Sequence, residues 1–122
     1  LLYFGGRSSH AVNKRPVAGE FRIQEEFGGL YSPVPVPAAG AVALAEEVLA
    51  AVGEPLLYAR IDMVPDADGC WLLMEAELIE PDFYLGVDPG KGAGFAWALR
   101  DVWLAVEETM DLRFSGGWLG IS

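Results

Sequence analysis

The sequence predicts an α+β domain in which helices flank an antiparallel sheet. Two apolar-rich runs, residues 60–64 and 70–77, surround the pair Asp68-Gly69, which is the strongest short-range signal for a β-hairpin. Two other stretches, residues 38–52 and 93–110, carry apolar residues at steps of three and four, as amphipathic helices do. Because the strand-like runs meet at tight turns instead of alternating with helices, an antiparallel sheet is expected.

Length and composition limit the classes of function. The 122 residues suffice for one domain with a modest core, and 52% of them are hydrophobic. A net charge of −10 without any cluster of Lys or Arg argues against a nucleic-acid-binding surface. No apolar run approaches the roughly 18 residues of a membrane span, so no membrane partner is expected. Cys70 is the only cysteine, so the chain cannot form an internal disulfide, and a cytoplasmic setting is favoured. Its side chain is expected to be buried.

The first part of the chain is predicted to be mostly extended. Residues 1–4 and 8–14 are expected to form a hairpin around a Gly-Gly turn. Residues 21–25 alternate between apolar and polar and are predicted to form a third strand. Residues 31–37 contain three prolines, so they are predicted to be an extended connector that cannot lie in a central strand.

Two helices are predicted from the apolar periodicity. The first, over residues 38–52, should end at Gly53, which can adopt the left-handed conformation common after a helix. The second is expected over about 93–110, with a buried stripe made of Phe95, Leu99, Val102, Val106 and Met110. Residues 111–122 show no clear period and are predicted to be an irregular tail.

The register of the central hairpin follows from placing Asp68-Gly69 at its turn. Counting outward pairs Val64 with Leu73, Asp62 with Glu75 and Arg60 with Glu77. Because side chains alternate between the two faces of a strand, one face carries the charged residues Arg60, Asp62, Glu75 and Glu77. The other face carries the apolar residues that should meet the core, namely Ile61, Met63, Leu72, Met74 and Ala76.

The charged face of this hairpin has two interpretations. Like charges opposite each other destabilise a strand pair, and two or three carboxylates with oxygen-only ligation suit Mg²⁺, so a metal ion could relieve the repulsion. Alternatively, the face is solvated and Arg60 and Glu77 form a surface ion pair worth at most about 1 kcal/mol. The pattern by itself leaves both interpretations open.

Several segments resemble a known family. Residues 58–62 (Tyr-Ala-Arg-Ile-Asp) and 75–81 (Glu-Ala-Glu-Leu-Ile-Glu-Pro) resemble the Arg-x-Asp and Glu-x-Glu strands in the C-terminal part of the ATP-grasp ligases. Upstream, residues 9–14 and 21–29 are similar to the preceding segments of the glutathione-synthetase-like and ribosomal-protein-S6-modifying branch, near the D-cycloserine-forming ligase subgroup. The resemblance implies the C-terminal ATP-grasp subdomain as the fold, with residues 1–110 as a partial ATP-grasp domain.

The resemblance also implies roles for the four charged residues of the hairpin. Asp62, Glu75 and Glu77 would hold one or two Mg²⁺ ions, or Mn²⁺, that bridge the phosphates of ATP. Arg60 would be catalytic, because it would stabilise the charge that develops as the γ-phosphoryl group moves to a substrate carboxylate.

Upstream residues receive roles by the same resemblance. Arg22 matches the arginine of the family's Arg-x-Asn segment and would contact substrate or phosphate as a second catalytic residue. Gln24 stands where the family has Asn and is assigned, with Lys14, to cofactor binding. For Lys14 an alternative remains open, which is an exposed lysine at the end of a strand. His10 is expected to be a core or surface imidazole rather than a base.

The implied function is that of the C-terminal catalytic portion of an ATP- and Mg²⁺-dependent carboxylate–amine ligase that acts through an acyl-phosphate. Its partners would be a small-molecule carboxylate, an amine and the N-terminal ATP-grasp lobes, which these residues lack. The chain starts without an initiator Met, so we expect it to be part of a longer protein and inactive in isolation.

Two alternatives remain open. One is a non-catalytic fragment that binds a divalent metal or a partner; the other is a structural fragment whose exposed apolar surface makes it a homo-oligomer.

Overall fold

The computed structural model describes residues 1–16 and 30–117 and confirms the predicted α+β class. Its strands are β1 (Leu2–Phe4), β2 (Arg7–His10), β3 (Val12–Arg15), β4 (Leu30–Pro33), β5 (Tyr58–Pro65) and β6 (Trp71–Glu77). Its helices are α1 (Ala39–Val52) and α2 (Ala93–Gly117), with a short 3₁₀ turn at Leu85–Val87. A four-stranded antiparallel sheet has the spatial order β2-β1-β5-β6, and β3 pairs with β4 in a separate two-stranded sheet.

The core lies between the central strands β1 and β5 and the helix α1. Tyr3, Ala45, Ala59 and Ile61 form its buried cluster. Small residues on the inner face of α1 allow the helix to lie close to the sheet, and Ala45 is fully buried there. The helix ends as predicted at Gly53, which has a left-handed φ of 71°. The helix therefore covers the face of the sheet that carries Ile61.

The strand predicted over residues 8–14 is divided into β2 and β3. A register shift between Leu2 and Tyr3 leaves Ser9 as an extra residue on β2, and after His10 the chain leaves the large sheet at the buried Ala11. β3 pairs instead with β4, which overlaps the start of the stretch, residues 31–37, predicted to be a connector. The strand β4 ends at Pro33, and the N–H of the next residue, Val34, still donates to the carbonyl oxygen of Ala11 at 2.9 Å. The third strand predicted over residues 21–25 lies outside the described residues.

The register of the central hairpin is confirmed near Arg60 and wrong near the turn. Arg60 pairs with Glu77 and Asp62 with Glu75, but Val64 pairs with Leu72 instead of Leu73. The cause lies in the turn, where the side chain of Asp66 closes a loop longer than the predicted two-residue turn. Its Oδ1 accepts the N–H groups of Asp68 and Cys70, each at 2.9 Å.

A bulge in β6 compensates for this longer loop. The pairing shifts between Asp62 and Met63, which leaves Met74 as the additional residue on β6. The core face predicted for β6 is wrong, because Leu72, Met74 and Ala76 are all exposed on this edge strand. Cys70, expected to be buried, is exposed in the hairpin loop.

The second helix is longer and less buried than predicted. It runs from Ala93 to Gly117, so it passes the predicted end near residue 110 and continues into the segment predicted to be an irregular tail. Near its start Ala98 is buried and Phe95 packs on Phe4, with 5.4 Å between the ring centroids. The predicted buried stripe is wrong beyond this point, since the following members are exposed: Leu99, Val102, Val106 and Met110.

In the described part of the chain, no helix combines the length and the apolar character that a membrane crossing requires.

Candidate active site

Arg60 lies at the centre of the predicted charged cluster. It is only 8% exposed on the central strand β5. Its Nε donates to Asp62 Oδ1 at 3.1 Å, and its Nη2 contacts Glu77 Oε2 and lies 3.7 Å from Glu75 Oε2. Its Nη1 donates to the carbonyl oxygen of Asp82 at 3.4 Å. The four side chains that the hairpin register placed on one face are therefore in contact around one guanidinium.

Lys14 joins this cluster from the neighbouring two-stranded sheet. Its Nζ donates to Asp62 Oδ2, so each oxygen of that carboxylate is paired with a cation. The side chain of Lys14 is 22% exposed and that of Asp62 is 12% exposed. Lys14 is therefore not the exposed end-of-strand lysine of the alternative interpretation, and its role in cofactor binding stays a prediction.

Burial and charge act in opposite directions on Arg60. Burial lowers the pKa of its guanidinium, but the carboxylate of Asp62, with a smaller contribution from Glu77, raises it, and the net result is a raised pKa. The guanidinium is therefore charged at every physiological pH. Because it is buried, the interpretation of a surface ion pair between Arg60 and Glu77 does not describe this site.

The acidic side chains have the chemistry of a magnesium site but are not arranged as one. Asp62, Glu75 and Glu77 offer only carboxylate oxygens, which are the ligands that Mg²⁺ prefers. Within residues 1–16 and 30–117, no group of three His, Cys, Asp or Glu side chains is placed to hold a metal ion. The carboxylates face Arg60 and Lys14 instead. Glu75 and Glu77 are the more exposed acids, at 57% and 32%, and would have to leave Arg60 to bind an ion.

Tyr84 and Tyr31 belong to the same site, although no pattern in the sequence predicts it. The ring of Tyr84 lies 5.4 Å from Arg60 Cζ and 5.7 Å from Lys14 Nζ. Tyr31, on β4, packs against Tyr84 with 4.9 Å between the ring centroids. Tyr84 follows the hairpin in an irregular loop, where no periodicity predicts which way a side chain points. The one local signal is Asp82, two residues before it, because Asp favours this kind of turn.

His10 holds the loop that carries Tyr84. Its Nε2 lies 2.8 Å from the carbonyl oxygen of Phe83, and because a carbonyl only accepts, Nε2 carries the proton. Its Nδ1 lies 2.8 Å from Ser9 Oγ and 3.7 Å from the buried carboxylate of Asp88. His10 is thus a buried imidazole that links β2 to this loop, as the sequence analysis expected of a core histidine.

Two predicted site residues, Arg22 and Gln24, lie outside the described residues, so their roles stay predictions.

A separate groove lies away from this cluster. Its volume is about 730 Å³, and it runs between the β1–β2 turn, the end of α1 and the first part of α2. Its walls are mostly apolar, with Leu49, Pro55 and Trp97 among the residues that line it. None of the charged residues around Arg60 contributes to it.

The chain is similar to one ligase of known structure. No protein-family model matches the chain, and no curated protein sequence does so either. A solved structure of D-cycloserine synthetase DcsG matches with a TM-score of 0.67 and 29% sequence identity. The match covers 82% of this chain and 36% of that one, so the chain spans little more than a third of the length of that protein.

Proposed function

The chain has the fold of the C-terminal part of an ATP-grasp ligase, and on that premise we propose that it is the catalytic C-terminal portion of a carboxylate–amine ligase. The proposed reaction uses ATP and Mg²⁺ and passes through an acyl-phosphate. The chain spans 36% of the matched ligase, so the lobes that grip the nucleotide would be supplied by the rest of a longer protein.

The observation that carries the proposal is the buried guanidinium of Arg60 inside a ring of carboxylates. Two cations, Arg60 and Lys14, and three acids meet at one partly buried point. Such a cluster is an unfavourable way to stabilise a fold, because burying charges requires that they be desolvated. The cluster does, however, supply fixed positive charge, which phosphoryl transfer needs, next to carboxylates that would have to turn away from Arg60 to hold a metal ion.

The chemistry assigned to these residues is positioning and charge stabilisation. In the first step, a substrate carboxylate oxygen attacks the γ-phosphorus, and the bond from that phosphorus to the β–γ bridging oxygen breaks, which releases ADP. Arg60 would donate its N–H groups to the γ-phosphoryl oxygens during this transfer. In the second step, the amine attacks the acyl carbon, phosphate leaves with the electrons of the carbon–oxygen bond, and the amine nitrogen loses a proton.

The remaining residues would support Arg60. Asp62 orients both Arg60 and Lys14, and Lys14 would contact a phosphate of the nucleotide. Asp62, Glu75 and Glu77 would hold Mg²⁺, which when bound would neutralise charge on the phosphates. Arg22 and Gln24 are proposed to contact substrate and nucleotide.

The proposal is tested by coupled ADP release in the full-length protein, with its acid and amine substrates identified by screening. We expect Asp62→Asn and Glu75→Gln each to lower turnover by about 100-fold, as removal of a metal ligand or charge partner commonly does. Asp101→Asn is the matched control, because this exposed acid lies on α2 next to Arg100 and outside the cluster.

Near-normal turnover in either Asp62→Asn or Glu75→Gln would contradict the assigned metal role. Calorimetry adds a second measurement. Binding of Mg²⁺ or Mn²⁺ without binding of ATP would favour a non-catalytic ATP-grasp-like protein over a ligase.

A further inference from the structure

The backbone of Tyr84 adopts a conformation that aromatic residues rarely take. Its φ of 48° and ψ of 44° lie in the left-handed region, which disfavours a residue with a Cβ. The loop itself maintains this conformation. The N–H of Tyr84 donates to Asp82 Oδ1 at 2.8 Å, and its carbonyl accepts the N–H of Val87 at 3.1 Å. Strain of this kind is often found where a side chain must be held in one place for function.

The loop is also held through Phe83, the residue before Tyr84, which limits how far Tyr84 can move. The neighbouring Phe83 packs among aromatic rings, with 5.2 Å between its centroid and those of Phe4 and Tyr58 and 4.9 Å to that of Phe95. The buried His10 binds the carbonyl of Phe83. These contacts tie the residue before Tyr84 to the sheet and to α2.

The anchored ring is placed against the two cations of the site. It lies 5.4 Å from Arg60 Cζ and 5.7 Å from Lys14 Nζ, distances at which a ring attracts a cation. Tyr31 packs on Tyr84 and adds a further contact that limits its movement. The same loop supplies the carbonyl of Asp82, which accepts from Arg60 Nη1.

We propose that Tyr84 is a positioning residue for Arg60, in that its ring holds the guanidinium so that the N–H donors stay directed at the transferring phosphoryl group. This inference rests on the proposed function. Without the ring, Arg60 would still contact Asp62 and the carbonyl of Asp82, but nothing on the Tyr84 side would limit its movement toward the exposed Glu75 and Glu77.

The aromatic ring rather than the hydroxyl group carries this role. Burial raises the pKa of Tyr84 to about 12, so the phenol is neutral at physiological pH and does not act as a base there. Tyr84→Phe, which keeps the ring, should therefore behave like the unaltered protein.

The test compares variants of the full-length protein in the ligase assay. Tyr84→Asn removes the ring but suits the backbone, because Asn tolerates the left-handed region. We expect it to lower kcat by about tenfold, with the KM for the acid changed by less than about threefold, because the positioned guanidinium acts in the transition state. Tyr84→Phe should retain kcat. The matched control is Trp97→Leu, which removes a similar ring–cation pair, 5.3 Å from Arg100 Cζ, on α2.

A spectroscopic measurement tests the same inference without activity. The Nε–H resonance of Arg60, assigned with Arg60→Lys, should be shifted by the ring of Tyr84. We expect the shift to persist in Tyr84→Phe and Trp97→Leu and to disappear in Tyr84→Asn.

The kinetic and the spectroscopic measurements together distinguish failure of this inference from failure of the proposed function. An unchanged Arg60 resonance and unchanged kcat in Tyr84→Asn would overturn the role of Tyr84. Loss of kcat in Tyr84→Phe would also overturn it, because the hydroxyl would then be required. Absence of ligase turnover in the unaltered protein would overturn the proposed function, while the resonance would still decide whether Tyr84 holds Arg60.

Discussion

Asp62 is the residue that makes the buried charges of the site compatible with a folded chain. Its two carboxylate oxygens pair separately with Lys14 and Arg60. A buried cation that loses its partner is far more costly than one that keeps it, because the lost hydration is no longer compensated. The stability of this region should therefore depend on Asp62 more than on the exposed Glu75.

Asp62→Ala should lower the free energy of unfolding by about 3 kcal/mol, since it leaves Lys14 and Arg60 without their shared partner. Asp101→Ala is the control, because Asp101 and Arg100 are both more than half exposed and their pair should contribute less than about 1 kcal/mol. Urea unfolding measures both variants. Equal effects of the two substitutions would contradict the structural role of Asp62.

Tyr84 should make the protein sensitive to alkaline pH. Its pKa is raised to about 12 by burial in the folded chain, while the unfolded chain has the ordinary value of 10. The phenol therefore ionises first in the unfolded chain, so stability present below pH 10 should be lost as the pH rises toward 12. Unfolding measured between pH 9 and 12 should show a shallower decline in Tyr84→Phe. Identical curves for the two proteins would contradict this expectation.

At the scale of the secondary-structure elements, the hairpin β5–β6 has one regular end and one irregular end. The pairs next to Arg60 keep the register that the Asp-Gly turn predicts, while the pairs next to the loop are displaced by one residue. Alternation of side chains was sufficient to predict the charged face. Alternation did not predict the bulge. The bulge compensates for a loop longer than two residues, and that loop is held by hydrogen bonds to the side chain of Asp66.

Asp66→Ala should destabilise this hairpin by about 1 kcal/mol, because it removes the acceptor for two backbone N–H groups in an exposed loop. Asp68→Ala is the control, because it replaces an aspartate of the same loop and keeps Asp66 Oδ1, the acceptor of both hydrogen bonds. Thermal unfolding should therefore show a lower Tm for Asp66→Ala only. A similar Tm in both variants would mean that the Asp66 side chain does not hold the loop.

At the scale of the whole molecule, the most unusual feature is the apolar surface of α2. Its exposed apolar residues are Trp97, Leu99, Val102, Trp103, Leu104, Val106 and Met110. A surface of this kind is more common at an interface than on a monomer. The matched ligase is much longer than this chain, so its remaining length leaves room for covering elements that the chain does not contain.

The isolated chain should therefore self-associate as its concentration rises. Light scattering should give a mass above that of the 13.1 kDa monomer, and Trp103→Glu should lower it by placing a charge on the apolar face. Val36→Glu is the control, because Val36 is also an exposed apolar residue but does not belong to α2. A clean monomer at all concentrations would contradict the expectation.

The sequence by itself determined the α+β class, the first helix with its end at Gly53, and the meeting of Arg60, Asp62, Glu75 and Glu77. These features depend on local periodicity and on the register next to a turn, which a short stretch of chain specifies. Only the tertiary structure decided that β6 is an exposed edge strand, that α2 leaves the core, that Lys14 reaches Asp62 and that Tyr84 reaches Arg60. Burial and contacts of this kind depend on which distant segments pack together, and no local pattern encodes that choice.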